Sequence, residues 1–284
     1  MSTATVSDPI AGSKAYQVHA RRALPLLVRQ AEAGAPIFYS DLAAELGMPN
    51  PRNLNFVLGS IGQTLENLSK AWKAPIPPIQ CLVINKQTGM PGEGIGWFLV
   101  KKEDFVALPP DKQRAVVKAH LKNVFAYPYW KGVLDELSLK QAPPTVVNVA
   151  LPKYGPGGEG KDHKALKAYV AAHPEIVGLP IAAAPGTTEQ CLLSGDSLDV
   201  FFIHRRRWVA AEVKSHISSD LDIQRGLFQC VKYRAVLVAQ ALSLGKTVDV
   251  KAVLVLGREL PQNLRGLKNM LGFEVVEQVG TSET

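Results

Sequence analysis

"LDVFFIHRRRWVAAEVKS", residues 198–215, is a pair of apolar, β-branched and aromatic runs joined by a basic loop, and each run carries an acid. Side chains two apart on a strand share a face. Glu212 and Lys214 therefore point one way, and Val209, Ala211 and Val213 the other. If "HRRR" (204–207) is a hairpin loop, Ile203 pairs with Trp208 and paired positions sum to 411. Asp199 then lies level with Glu212, on the face that Lys214 also occupies. Cross-strand neighbours sit roughly 5 Å apart, close enough for two carboxylates to share a divalent cation. Without one they repel and raise a pKa. Oxygen donors beside a lysine suit magnesium or manganese rather than zinc.

The flanking segments extend this hairpin into a larger unit. "TTEQCLL" (187–193) reads as a preceding strand, joined through the loop "SGDS" (194–197). Pairing Leu193 with Leu198 places Gln190 on the Asp199 face and Glu189 on the opposite one. The better candidate for a third acidic ligand is then Glu159, at the start of a helix spanning Lys161 to Ala172 whose apolar stripe is Leu166, Tyr169 and Val170. After the hairpin comes a long helix, about Leu221 to Gln240. Arg225, Gln229 and Tyr233 recur along it every four residues on one face, with Leu227, Val231 and Val238 towards another. "KTVDVKAVLVLG" (246–257) reads as a buried strand, and a short helix and "FEVVEQV" (273–279) follow. The expected order is α-β-β-β-α-β with a further α-β appended, an α/β class.

"LDVFF…AEVK" with Gln229 and Tyr233 downstream resembles the PD-(D/E)XK nuclease superfamily, which has the restriction-endonuclease-like fold. Asp199 matches the motif aspartate, Glu212-Val213-Lys214 the (D/E)-x-K, and Gln229 and Tyr233 the Q-x-x-x-Y element of the RecB-like branch. Leu198 stands where many members have proline. The likeness covers about residues 155 to 260. It implies a magnesium- or manganese-dependent DNA endonuclease with 5′-phosphate products, serving restriction, phage defence or repair. Asp199, Glu212 and the Val213 carbonyl would hold the metal, with Glu159 as a further ligand. Lys214 would act on the attacking water, while Gln229 and Tyr233 would hold substrate phosphate or Lys214. A homodimer or a defence-system partner protein is compatible with that reading. The alternative is a catalytically inactive nucleic-acid-binding or regulatory protein that keeps the fold.

Residues 140–160, "KQAPPTVVNVALPKYGPGGEG", are rich in proline and glycine and disfavour a continuous helix or central strand. They divide the chain into an N-terminal domain (1–140), a hinge (141–160) and a nuclease-like domain (161–284). Within the hinge, Gly155 to Asp162 matches G-x-x-x-x-G-K, the pattern of a phosphate loop. Asp162 occupies the place of the Ser or Thr that holds magnesium, so a plain hinge entering a helix is the competing reading.

The N-terminal domain opens with a helix from Ser13 to Ala31 that carries Tyr16, Ala20, Ala23, Leu24 and Leu27 on one face, with Pro25 weakening its middle. Ser40 is placed to cap a short helix ending at Gly47. A turn at "MPNP" leads to a second helix burying Leu54, Leu58, Ile61, Leu65 and Leu68. A strand "CLVIN" and a Gly-rich hairpin "KQTGMPGEG" (86–94) complete the order of a winged helix, against the plainer reading of a helical packing unit. "FAYPYW" (125–130) is either a stacking platform for bases or aromatic core filler.

Composition bounds these readings. The 284 residues are 46% hydrophobic and 20% charged, which is globular, and no apolar run reaches the ~20 residues of a membrane helix. The polar N-terminus lacks the apolar core of a signal peptide. Three scattered cysteines, Cys81, Cys191 and Cys230, fit a reducing cytoplasm and exclude a disulfide framework. The net charge of +7 is compatible with a polyanionic partner such as DNA.

Overall fold

The computed structural model describes residues 7–99, 102–143 and 160–280. The chain divides into two compact units, Met1–Pro144 and Thr145–Thr284, with the boundary inside the Pro/Gly-rich stretch. Gly155 to Glu159 lie outside the described residues, and with them most of the phosphate-loop pattern and the candidate ligand Glu159.

The N-terminal unit is mainly helical. Helix α1 (Ala15–Glu32) runs unbroken through Pro25, which is itself buried. A two-residue strand β1 (Ile37–Phe38) leads into α2 (Tyr39–Leu46). Gly47, at φ 69°, closes α2 in the left-handed conformation that glycine adopts without a Cβ clash. Ser40 was expected to cap this helix. Its residue is already helical, and Phe38 occupies the cap position with no side-chain hydrogen bond. Helix α3 (Leu54–Trp72) buries Leu54, Leu58, Ile61, Leu65 and Leu68, and packs on α1 in one apolar core. Strand β2 (Val83–Ile84) pairs in parallel with β1. The expected hairpin after it does not form. Asn85 nucleates a turn by accepting from the Gln87 N–H at 2.8 Å, and a short 3-10 turn at Glu93–Ile95 follows. Pro91 has no N–H to give to a ladder, and the Gly92 N–H is taken by Tyr39 Oη at 3.1 Å, so a returning strand loses its donors. The remaining helices are α4 (Gly96–Leu99), α5 (Lys102–Ala107), α6 (Pro110–Ala126) and α7 (Trp130–Glu136). Trp130 is buried and donates from Nε1 to the Val124 carbonyl at 2.9 Å, with Tyr127 edge-on against it. "FAYPYW" is thus chiefly packing, although Tyr129 stays exposed.

The C-terminal unit follows the expected α-β-β-β-α-β-α-β order. Its elements are α8 (Lys161–Ala172), β3 (Thr187–Cys191), β4 (Ser197–His204), β5 (Arg207–Lys214), α9 (Asp220–Ser243), β6 (Asp249–Leu256), α10 (Gln262–Leu271) and β7 (Glu274–Val276). They form one five-stranded sheet in the order β3-β4-β5-β6-β7. The β3–β4 and β4–β5 pairs are antiparallel hairpins, while β5–β6 and β6–β7 are parallel across the helical crossovers α9 and α10. One sheet face (Val200, Phe202, Val209, Ala211, Val213) packs on α8 through Leu166 and Val170. The other (Phe201, Trp208, Ala210, Leu254) packs on α9 through Ile223, Leu227 and Leu237. Tyr169, expected in the α8 stripe, is instead exposed and stacks on His173. Ser219 caps α9, and Asp222 returns the hydrogen bond in a capping box.

Register decides what meets what. Ile203 pairs with Trp208, as the hairpin reading expects, and pairing continues to His204↔Arg207, so the loop tightens to Arg205-Arg206. The β3–β4 register differs from expectation. Gln190 pairs with Leu198 and Thr188 with Val200, a shift of three residues. The connection is a three-residue loop, Leu193-Ser194-Gly195, closed by the Leu192 N–H on the Asp196 carbonyl at 2.7 Å, with Gly195 at φ 84°. That is the hairpin type that needs glycine in its last, left-handed position. Glu189, between these pairs, has φ 52°, and its carboxylate reaches Lys167 of α8.

Candidate active site

Strands β4 and β5 stay paired from His204↔Arg207 as far as Val200↔Ala211. One residue further on, the Asp199 carboxylate accepts the Val213 main-chain N–H at 2.8 Å. An acid thus takes a ladder donor at the point where the recorded pairing ends. Glu212 alternates with Ala210, which packs against α9, while Asp199 stands between Leu198 of the α9-side core and Val200 of the α8-side core, where the alternation of β4 breaks.

Glu212 is 1% exposed. Its Oε1 receives the Lys214 ammonium at 2.5 Å, and its Oε2 is buried with no hydrogen-bond partner. Burial pushes its carboxyl from 4.5 up to about 7, and the Asp199 charge adds to the rise while Lys214 opposes it incompletely. Asp199 moves the other way. Burial works against its charge, but His163, the Val213 N–H and Lys214 together outweigh burial and hold its carboxyl below the usual range. Two neighbouring acids are therefore driven apart in acidity, which is how a site separates acid and base roles.

Lys214 is held by the glycine across from it. A Cβ at Gly226 of α9 would stand 3.3 Å from Lys214 Cε and 2.8 Å from Leu254 Cδ1. The helix can approach the lysine stem because this position has no side chain. Cys230 lies on the same buried helix face, its thiol pushed up by burial and by the Glu212 charge.

The α9 face differs in part from the sequence reading. Tyr233 is buried on the same side as Leu227, whereas Val231 and Val238 are exposed. Its hydroxyl donates to the Ser197 carbonyl at 3.1 Å, tying the start of β4 to α9. Burial first, then the Glu212 charge, raises its phenol. The Gln229 amide donates to Tyr233 Oη at 3.3 Å. Arg225 is exposed and pairs with Asp222 at 3.1 Å one turn back.

Two residues on α8 join the cluster without having been singled out. His163 Nε2 stands 3.8 Å from Asp199 Oδ2, and Lys167, 5% exposed, contacts the Glu189 carboxylate. Ser197 Oγ also reaches Glu189, at 3.3 Å. The signal was present: positions 163, 167 and 170 share the i, i+4, i+7 stripe that faces the sheet, and two of them are basic.

Among the described residues no three His, Cys, Asp or Glu side chains form a complete metal cage. Asp199 and the unpartnered Glu212 Oε2 could instead supply oxygen donors, with His163 Nε2 3.8 Å from Asp199 Oδ2. Such a set fits magnesium or manganese, which retain several waters and use few carboxylates. Comparison of the chain with family models, with curated proteins and with solved structures finds no match in any of the three.

Proposed function

We propose that the C-terminal unit is a metal-dependent nuclease that hydrolyses phosphodiester bonds in DNA, of the PD-(D/E)XK kind. One observation carries this reading. An ionised aspartate, a buried glutamate with a free oxygen and a lysine converge where a sheet hairpin parts. A merely structural ion pair would satisfy Lys214 with Glu212 and would not leave Glu212 Oε2 buried and unpaired, at a cost of about 1–3 kcal/mol or more for a charged group.

Asp199 and Glu212 would hold magnesium or manganese, with the Val213 carbonyl, and with Glu159 in its sequence-assigned place. When bound, the ion supplies Lewis-acid polarisation of the phosphate and a more acidic water. Lys214 supplies the positive charge that orients that water and stabilises the negative charge growing on phosphate oxygens. Tyr233 and Gln229 act indirectly, by fixing the start of β4 and so the aim of Asp199. A DNA partner, and a setting in restriction, phage defence or repair, belong to the same proposal.

Incubating plasmid and linear DNA with the protein, with magnesium or manganese or with EDTA, tests it. Cleavage should need the metal and vanish in Asp199→Ala and Lys214→Ala. If no divalent metal gives cleavage of any DNA or RNA, with or without cellular partners, the chain is a nucleic-acid-binding or regulatory protein on a nuclease-like fold.

A further inference from the structure

Residues 110–131, helix α6 and the start of α7, carry five cations against one acid. The cations are Lys112, Arg114, Lys118, Lys122 and Lys131, and the acid is Asp111 in the first turn. This short segment thus holds a net +4 of the chain's +7. All five cations are exposed, and none forms an ion pair among the described residues. The exposed acids of the neighbouring helices, Asp104 of α5 and Asp135 and Glu136 of α7, pair with none of them.

Arg114, Lys118 and Lys122 stand four residues apart, about 6 Å along the axis, so their charges are neighbours on the helix surface. Like charges at that spacing destabilise a helix, and alternating signs would have stabilised it. Helix α6 carries this row without a compensating acid, and a polyanion laid along it would remove the repulsion.

The rest of the helix decides which polyanion fits. A helix that lies on an anionic bilayer needs a free apolar face beside its basic one. Helix α6 has none to give: Val117 and Val124 are buried, and Val116, Leu121 and Phe125 pack against the same two clusters. The exposed positions between the cations are small or polar, Ala115, Ala119 and Asn123, which lets a flexible backbone come close. Just past the helix, Tyr129 is 64% exposed, with Tyr127 near-perpendicular to it at 5.7 Å between ring centroids. An exposed aromatic ring beside Lys131 offers a face to an unstacked base, which a duplex does not present.

We infer that α6 is a docking surface for a single strand of nucleic acid. Arg114, Lys118 and Lys122 follow its phosphates, and Tyr129 stacks on a base at the end of the row. The surface lies wholly in the N-terminal unit, so the inference stands apart from the nuclease reading.

Fluorescence anisotropy of a labelled short oligodeoxythymidylate tests it, with the full chain in EDTA so that metal-dependent cleavage plays no part. Replacing the row together, by Arg114→Gln, Lys118→Gln and Lys122→Gln, should weaken binding at low salt roughly tenfold or more. It should also lower the slope of log affinity against log salt by about 2, since each single-strand phosphate contact contributes about 0.7. The thermal midpoint should hold or rise, because glutamine forms helix about as well as lysine and the repulsion is gone. A charge-matched variant at the β4–β5 hairpin, with Arg205→Gln, Arg207→Gln and Lys246→Gln, should lose less. Tyr129→Ala should weaken binding of the strand roughly fivefold or more, and the same strand paired with oligodeoxyadenylate should bind less tightly. The inference is overturned if the α6 variant binds like wild type, or if the hairpin variant loses as much. It is overturned equally if the duplex binds as tightly as the strand, or if Tyr129→Ala changes nothing. Tighter binding to phosphatidylserine vesicles or to polyglutamate than to the strand would overturn it in favour of a membrane or an acidic protein.

Discussion

Replacing Glu212 by glutamine should stabilise the C-terminal unit at neutral pH and do almost nothing in acid. The carboxyl is raised by burial from 4.5 to about 7, and with about 1.4 kcal/mol per pKa unit the ionised form is disfavoured in the fold by about 3 kcal/mol. Below pH 4.5 the group is protonated in both folded and unfolded chains and contributes nothing. Between 4.5 and about 7 the folded state holds the proton more tightly, so stability falls as pH rises. Above about 7 the whole penalty is in place. Glutamine cannot ionise, and its amide oxygen can still accept from Lys214. The variant should therefore gain about 3 kcal/mol over the wild type on going from acid to about pH 8. Asp199 does not confuse the comparison. Its depressed pKa contributes stability that is present above 3.8 and lost as pH falls below that, outside this window. Denaturant titration of the full chain, followed by amide hydrogen exchange in β5, isolates the C-terminal unit. Magnesium should raise protection of the wild type above pH 7, where Glu212 is ionised, and leave the glutamine variant nearly unchanged. An equal difference between the two proteins at both pH values, or a less stable glutamine variant at the higher one, would refute the reasoning.

Asp199→Ala and Lys214→Ala should both abolish metal-dependent cleavage yet act oppositely on DNA binding measured in EDTA. The first removes a negative charge and should hold or tighten binding; the second should weaken it and lower the salt slope by about one counterion. Gly226→Ala drives a Cβ to 2.8 Å from Leu254 and 3.3 Å from Lys214. Overpacking of this kind costs about 1–3 kcal/mol, and cleavage should fall further than the thermal midpoint accounts for, since the lysine is displaced. Tyr233→Phe deletes the bond to the Ser197 carbonyl. It should cost about 1 kcal/mol of stability and slow cleavage less than Asp199→Ala does. Gln229→Ala, which contributes little packing, should slow cleavage with hardly any change in thermal midpoint. Equal losses of folding and activity would make its role structural.

How far the residues could be read in advance depended on how local the deciding interaction was. Alternation along a strand and the periodicity of a helix are local, so the α-β-β-β-α-β order and the α8 bounds Lys161–Ala172 were legible from residue types alone. The β4–β5 register was legible too. Two long apolar runs separated by four polar residues leave one pairing that buries Val200, Phe202, Val209 and Ala211 together. The β3–β4 register was not legible, because it turned on whether Leu193 belonged to the strand or the loop. Gly195 in a left-handed turn settled that by making Leu193 a loop residue, which paired Gln190 with Leu198.

Sequence by itself thus determined the classes of element in each unit, the order of strands and helices in the C-terminal one, and the acid-acid-lysine set on one strand pair. Those depend on spacing along the chain. Tertiary structure alone decided the surroundings of that set. It brought His163 beside Asp199, laid Gly226 against Lys214, turned Tyr233 inward onto Ser197, and left one oxygen of Glu212 buried and unpaired. It also replaced the expected wing with a turn and helices, and it buried the Gln80 amide without a hydrogen-bond partner. Each of these is a contact between residues far apart in the chain, whose geometry depends on how helix packs on sheet or helix on helix, and no periodicity along the backbone encodes that.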